Sequence, residues 1–342
     1  MSTVQKIKAA VQQLQENYIP KAKSRRFTLG VKALALQEFT SLNAVGRKLC
    51  DNRWTGEARI RRTVTDKKLA NHLQQLLVTE MFATRSGRLY CSMDHSQFGS
   101  FCIAILAVSF RKGRAIPIWI QVNKSEAALI TPLLAALEEL FKNLEQIAPD
   151  LKPVLVMDRW FASDKLFKLF AEHGIYFISR TKSDKKIVLP WDPSSHKTKI
   201  QEISLLETEI TYRSHKLRLV RSELRPYMKD PEPWFLLTNL PEEITRRQIL
   251  NRYAERFEIE EAFKDTKWIQ RLEWQQIRKT EVIRNLLLFA FLGWWLLWKC
   301  RDKTIQKANK QIHPKKRLSW FRAAWEHLQR QLQLNTNFCL LA

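Results

Sequence analysis

The chain is short of acids for the bases it carries: 34 Asp and Glu stand against 58 Lys and Arg, a formal net charge of +24 over 342 residues. That excess is too large for an ordinary enzyme of small molecules. It points to a polyanionic partner, nucleic acid before anionic membrane. Paired cysteines are missing as well. Cys50, Cys91, Cys102, Cys300 and Cys339 are scattered without a C-x-x-C, which argues against a zinc site and predicts a reducing compartment, the cytoplasm. No apolar segment follows Lys6 and Lys8, so no signal peptide is expected. The one long apolar run, Leu286 to Trp298, has thirteen residues. A bilayer crossing takes about 20, so this run reads as a buried helix and no membrane partner is expected. Internal repeats and low-complexity tracts are absent.

What is present divides along the chain. The length suggests two or three structural units. Residues 1–86 read as short helices with few strand signals, and residues 1–88 hold 17 Lys and Arg against 6 Asp and Glu. Ser41 to Leu49, with Gly46 near a bend, precedes a basic helix from Thr55 to Lys68 that carries Arg59, Arg61 and Arg62. The pattern resembles a helix-turn-helix; the alternative is a basic helical bundle that touches phosphates without reading bases. Either one is a DNA-binding domain.

Residues 87–184 read as the first part of an α/β core. Gly87 to Phe98 alternates and contains Asp94, Phe101 to Phe110 is almost wholly apolar, and Ala115 to Val122 forms a third strand after the Arg111–Arg114 turn. Leu129, Leu133, Leu137, Leu140 and Leu144 predict a helix over Glu126 to Ile147. Pro153 to Phe161 is a short buried strand with Asp158 at its carboxyl end, where α/β sheets collect ligand groups. A helix from Asp164 to His173 and a strand from Ile175 to Ser179 follow. Residues 185–240 hold β-like runs at Lys216–Arg221 and Trp234–Leu237 and read as a β-rich insertion. Residues 241–300 carry two helices, and 301–342 a basic tail, with eight bases against one acid from Lys299 to Arg317.

The stretch Thr245 to Lys267 has no Gly or Pro and reads as one helix. Tyr253, Arg256, Glu260 and Lys267 fall within a stripe roughly 60° wide and about 21 Å long on such a helix. Taken alone, that stripe is either a solvated surface face or a cationic row, with one acid in it, suited to a phosphate backbone.

The spacing Tyr-x2-Arg-x3-Glu-x6-Lys, with Trp234 to Thr238 ahead of it and Asp94 and Asp158 in order before that, resembles the signature of DDE insertion-sequence transposases of the cut-and-paste group. The resemblance implies an RNase H-like catalytic core. It also implies that Asp94, Asp158 and Glu260 hold two Mg²⁺ ions, with Mn²⁺ as a possible substitute. Tyr253, Arg256 and Lys267 would then position a strand by its phosphates, and Trp234 would stack on a displaced base. The implied partners are double-stranded DNA, as terminal inverted repeats and as target, and a second copy of the chain in a synaptic dimer. Two other readings stay open: a nuclease or resolvase on the same fold that cuts without joining, and a non-catalytic DNA-binding derivative. A basic membrane-surface protein is disfavoured, because the charge is spread through folded units.

Overall fold

The computed structural model describes residues 3–32, 53–109, 115–126, 128–191, 197–223, 232–268, 277–299 and 323–326. Helices α1 (Thr3–Tyr18), α2 (Lys21–Gly30), α3 (Arg53–Val64) and α4 (Lys67–Phe82) come first. The Ser41–Leu49 half of the expected helix-turn-helix lies outside the described residues. The basic helix ends at Val64, not at Lys68, because Asp66 starts a new one. Its carboxylate accepts the Leu69 N–H at 3.1 Å, capping α4, while Lys23 and Arg26 of α2 grip the other oxygen.

Strands β1 (Gly87–Phe98), β2 (Phe101–Ser109) and β3 (Ala115–Asn123) form an antiparallel meander. Helix α5 (Ile130–Ile147) then leads to β4 (Leu151–Met157), and α6 (Asp164–Glu172) to β5 (Tyr176–Thr181). Both β4 and β5 run parallel to β1. Helix α5 begins four residues later than its apolar spacing predicts. After α6 the chain reverses at Gly174, whose φ of +61° is open to glycine. There the Ile175 N–H bonds the Phe170 carbonyl at 2.8 Å and the Gly174 N–H bonds that of Ala171 at 3.3 Å, the Schellman closure of a helix end.

Strands β6 (Lys186–Val188), β7 (Lys197–Lys199), β8 (Glu207–Tyr212), β9 (His215–Arg221) and β10 (Phe235–Thr238) carry the 185–240 stretch. It is β-rich, and it forms no separate sheet. β10 pairs antiparallel with β5, so a single sheet runs in the order β3-β2-β1-β4-β5-β10-β9-β8-β6-β7.

The Thr245–Lys267 helix is in two pieces, α7 (Arg246–Glu255) and α8 (Glu258–Trp268). Between them the hydrogen bonds tighten to i→i−3: Arg256 N–H to Tyr253 O at 3.1 Å and Ile259 N–H to Arg256 O at 3.0 Å. The straight stripe expected from one helix is therefore bent at Arg256, and it is not a solvated face: Tyr253 is 0% exposed and Arg256 5%.

Helix α9 (Thr280–Lys299) contains the apolar run and is longer than that run suggests. At 20 residues with a mean hydropathy of 1.4 it passes a length test for crossing a membrane, yet 83% of that window is buried inside the protein. It lies against β3, α3 and α4 as a core helix. Its fit to α2 is tight: a Cβ at Gly30 would meet the Phe289 ring at 2.1 Å. The amino-terminal helices thus share one continuous core with the sheet.

Strand alternation divides the sheet into two faces. Cys91, Met93, Leu155 and Met157 belong to the large core beneath α4 and α9. Val154, Val156, Ile178, Val220 and Leu236 pack on the other face, under Ile249 and Tyr253 of α7.

Candidate active site at the sheet's central strands

Asp94 and Asp158 meet because of register. Met93 stands opposite Met157 in the parallel β1–β4 pair, so the next residues, Asp94 and Asp158, lie side by side at the spacing of neighbouring strands, about 4.8 Å. By alternation Asp94 follows Tyr90 and Ser92, and Asp158 follows Val154 and Val156, onto the face that α7 covers. The joint between α7 and α8 then comes down over them.

Arg256, at that joint, is the hub. Its Nη1 donates to Asp94 Oδ2 at 2.7 Å and its Nη2 to Glu260 Oε1 at 3.1 Å. The other Asp94 oxygen accepts the His95 N–H at 2.8 Å. Burial raises the pKa of Asp94 and the neighbouring Asp158 adds to it, against the opposing pull of Arg256 and the His95 amide. Burial also works against the charge of Arg256, but Asp94, Tyr253, Asp158 and Glu260 outweigh it and hold the guanidinium protonated. Tyr253 is pushed up to about 12, first by burial. Its hydroxyl lies beside the guanidinium without a well-formed hydrogen bond, and Arg256 Nε is likewise buried without an acceptor.

The aromatic wall is continuous. The Trp234 ring meets Tyr253 edge-on at 4.9 Å and Phe257 at 6.1 Å, and Arg256 lies 4.8 Å from the Phe257 ring centre. Trp234 is half-buried and its backbone N–H donates to Ser222 Oγ at 2.8 Å. Lys267 lies on α8. Arg59, Arg61 and Arg62 are exposed on α3, with Arg61 held by Glu57 at 2.7 Å.

Sequence reasoning missed two neighbours. Arg180 ends the Tyr176–Ile178–Arg180 alternation of β5, on the same face as Asp158, and pairs with Glu232 at 3.6 Å. Extending the last core strand by one residue would have found it. Glu126 approaches His95 Nε2 at 3.5 Å, and its place in the loop before α5 gives no sequence signal. A cleft of about 630 Å³ lies elsewhere, between α4, β3, α5 and the start of α9.

The donor set suits a hard divalent cation, since carboxylate oxygens are what Mg²⁺ takes. The arrangement does not. Among the described residues no three His, Cys, Asp or Glu stand close enough to hold one ion. Arg256 lies between Asp94 and Glu260 and takes an oxygen from each.

Residues 93–296, more than half of the chain, match the family model described as "Transposase DDE domain". No curated protein matches. Among solved structures, A. aeolicus Argonaute aligns at 11% identity with a TM-score of 0.26, covering 64% of this chain and 29% of its own length.

Proposed function

Because the chain belongs to the transposase DDE-domain family, we propose that it is a DNA transposase of the cut-and-paste kind on an RNase H-like core. It would bind terminal inverted repeats, cleave the element's ends and join the freed 3′-OH to target DNA. The observation that carries this reading is the side-by-side placement of Asp94 on β1 and Asp158 just past the end of the parallel β4, with Arg256 and Glu260 brought over them from the α7–α8 joint and α8.

Asp94, Asp158 and Glu260 are the proposed catalytic acids, working with Mg²⁺ or, as a substitute, Mn²⁺. Two such ions near one phosphate need several shared oxygen ligands, and three carboxylates supply them. Arg256 suits a phosphate through its planar fork, which can contact two oxygens at once. Tyr253, Lys267 and Arg180 would serve as further phosphate contacts, and Trp234 would stack on a displaced base. Arg59, Arg61 and Arg62 hold DNA away from the acids. A synaptic dimer would bring two ends together.

Alanine at Asp94, Asp158 or Glu260 is expected to abolish divalent-ion-dependent cleavage of the element's ends while leaving end binding in a gel-shift assay intact. Cleavage that persists in one of the three removes that residue from the site; persistence in all three overturns the reading.

A further inference from the structure

We infer that Arg256 is a built-in counter-ion that keeps divalent metal off the acids until a DNA phosphate draws it away. The inference rests on the transposase reading and assigns a regulatory contact to the same site. Three observations support it. The guanidinium bonds both Asp94 and Glu260, at 2.7 and 3.1 Å, so two of the three acids already share a cation. Among the described residues no three His, Cys, Asp or Glu stand close enough together to hold one ion. Two buried polar groups at the joint, Arg256 Nε and the Tyr253 hydroxyl beside it, make no well-formed hydrogen bond.

The last point gives direction to the exchange. Buried polar groups without partners are costly, and such positions call for a missing ligand or a second arrangement. A phosphate is an acceptor with several oxygens. Placed at this joint, it takes Nε and a terminal nitrogen of Arg256 together with the Tyr253 hydroxyl, satisfying both orphans. Asp94 and Glu260 are then freed as oxygen ligands at the moment the substrate arrives. A dication entering before that would sit beside a buried guanidinium, and like charges at such a distance repel strongly where water is scarce. The contact lies at the α7–α8 joint, so the side chain is not locked inside a continuous helix. The two states differ in one swing of Arg256, from carboxylates to phosphate.

Mn²⁺ binding, read by the loss of free-ion signal in electron paramagnetic resonance, tests this without any turnover. The wild-type chain is expected to bind Mn²⁺ weakly alone and about tenfold more tightly with a short DNA duplex, a coupling within the usual range. A duplex with an uncharged methylphosphonate backbone should give no such gain. Arg256→Gln should bind Mn²⁺ tightly without DNA and lose the dependence on it. Arg256→Lys, which keeps a cation but not the fork, should fall between. If Arg256→Gln folds poorly, the wild-type comparison with and without DNA still decides, and Mn²⁺ should raise the variant's melting temperature more than the wild type's. Equal wild-type affinity with and without DNA, or no tightening in Arg256→Gln, overturns the counter-ion role alone. Tight binding that Asp94→Asn leaves untouched places the ion elsewhere and overturns the assignment of the acids as well.

Discussion

At the scale of single residues, the clearest lesson is that a charged group is read correctly only with its partners. In the sequence Asp66 falls inside the basic helix expected from Thr55 to Lys68. In the fold it caps α4 and anchors α2 through Lys23 and Arg26. Burial pushes its carboxyl up, but Lys23, the Leu69 amide and Arg26 outweigh that and hold it below the usual range. A depressed carboxyl stabilises the fold above its unfolded pKa and loses that contribution as pH falls through the folded value. Asp66→Asn should therefore lower stability at neutral pH by about 1–3 kcal/mol, the worth of charged hydrogen bonds. The gap to wild type should begin to shrink below about pH 4, the free carboxyl value, and narrow further as pH falls toward the lower folded value. Denaturant melts at pH 7 and pH 3 check this, and a gap of equal size at both would show that charge is not what anchors the helices.

Arg256 is the other case. Its place on a charged stripe reads either as a solvated face or as a cationic row for a phosphate backbone, and its burial follows from a carboxylate 162 positions earlier in the chain. No local pattern carries that information.

Among secondary-structure elements, strands were the most legible. Alternation and turns place β1, β2, β3, β4 and β5 within a few residues of where they lie, with Asp94 in the first and Asp158 at the end of the fourth. Helix ends were harder. The break between α7 and α8 has no Gly or Pro to announce it, and it comes where Arg256 bonds down onto Asp94. The union of β10 with β5 was equally hidden, because pairing partners in a sheet are set by burial on both faces and not by one segment's sequence. The docking of α2 on α9 shows the same non-local control. At Gly30 there is no room for a methyl group, with Phe289 at 2.1 Å from any added Cβ. Gly30→Ala should cost about 1–3 kcal/mol through overpacking, although alanine is the better helix former. A melting temperature equal to or above wild type would mean that α9 gives way at no cost.

For the whole molecule, the charge of +24 is the property that sequence alone made plainest. It makes DNA affinity a function of salt, because each neutralised phosphate releases counter-ions. The exposed Arg59, Arg61 and Arg62 on α3 lie on a different element from the acids. Their joint replacement by alanine should lower the slope of log affinity against log salt by about 2–3, at roughly 0.9 per phosphate contact. An unchanged slope would take α3 out of the DNA-binding surface. The tail from Lys299 onward, also basic, lies mostly outside the described residues, so its part in that surface is left to the same kind of titration.

If acids from β1, the end of β4 and α8 transfer DNA strands, the protein must join ends as well as cut them. Pre-cut ends bearing a 3′-OH are incubated with the protein, a supercoiled plasmid and Mg²⁺, and the products are separated on a denaturing gel. The expected result is end strands covalently attached to plasmid DNA, absent when Asp94 is alanine. Plasmid that is only nicked, or joining that survives Asp94→Ala, would contradict it.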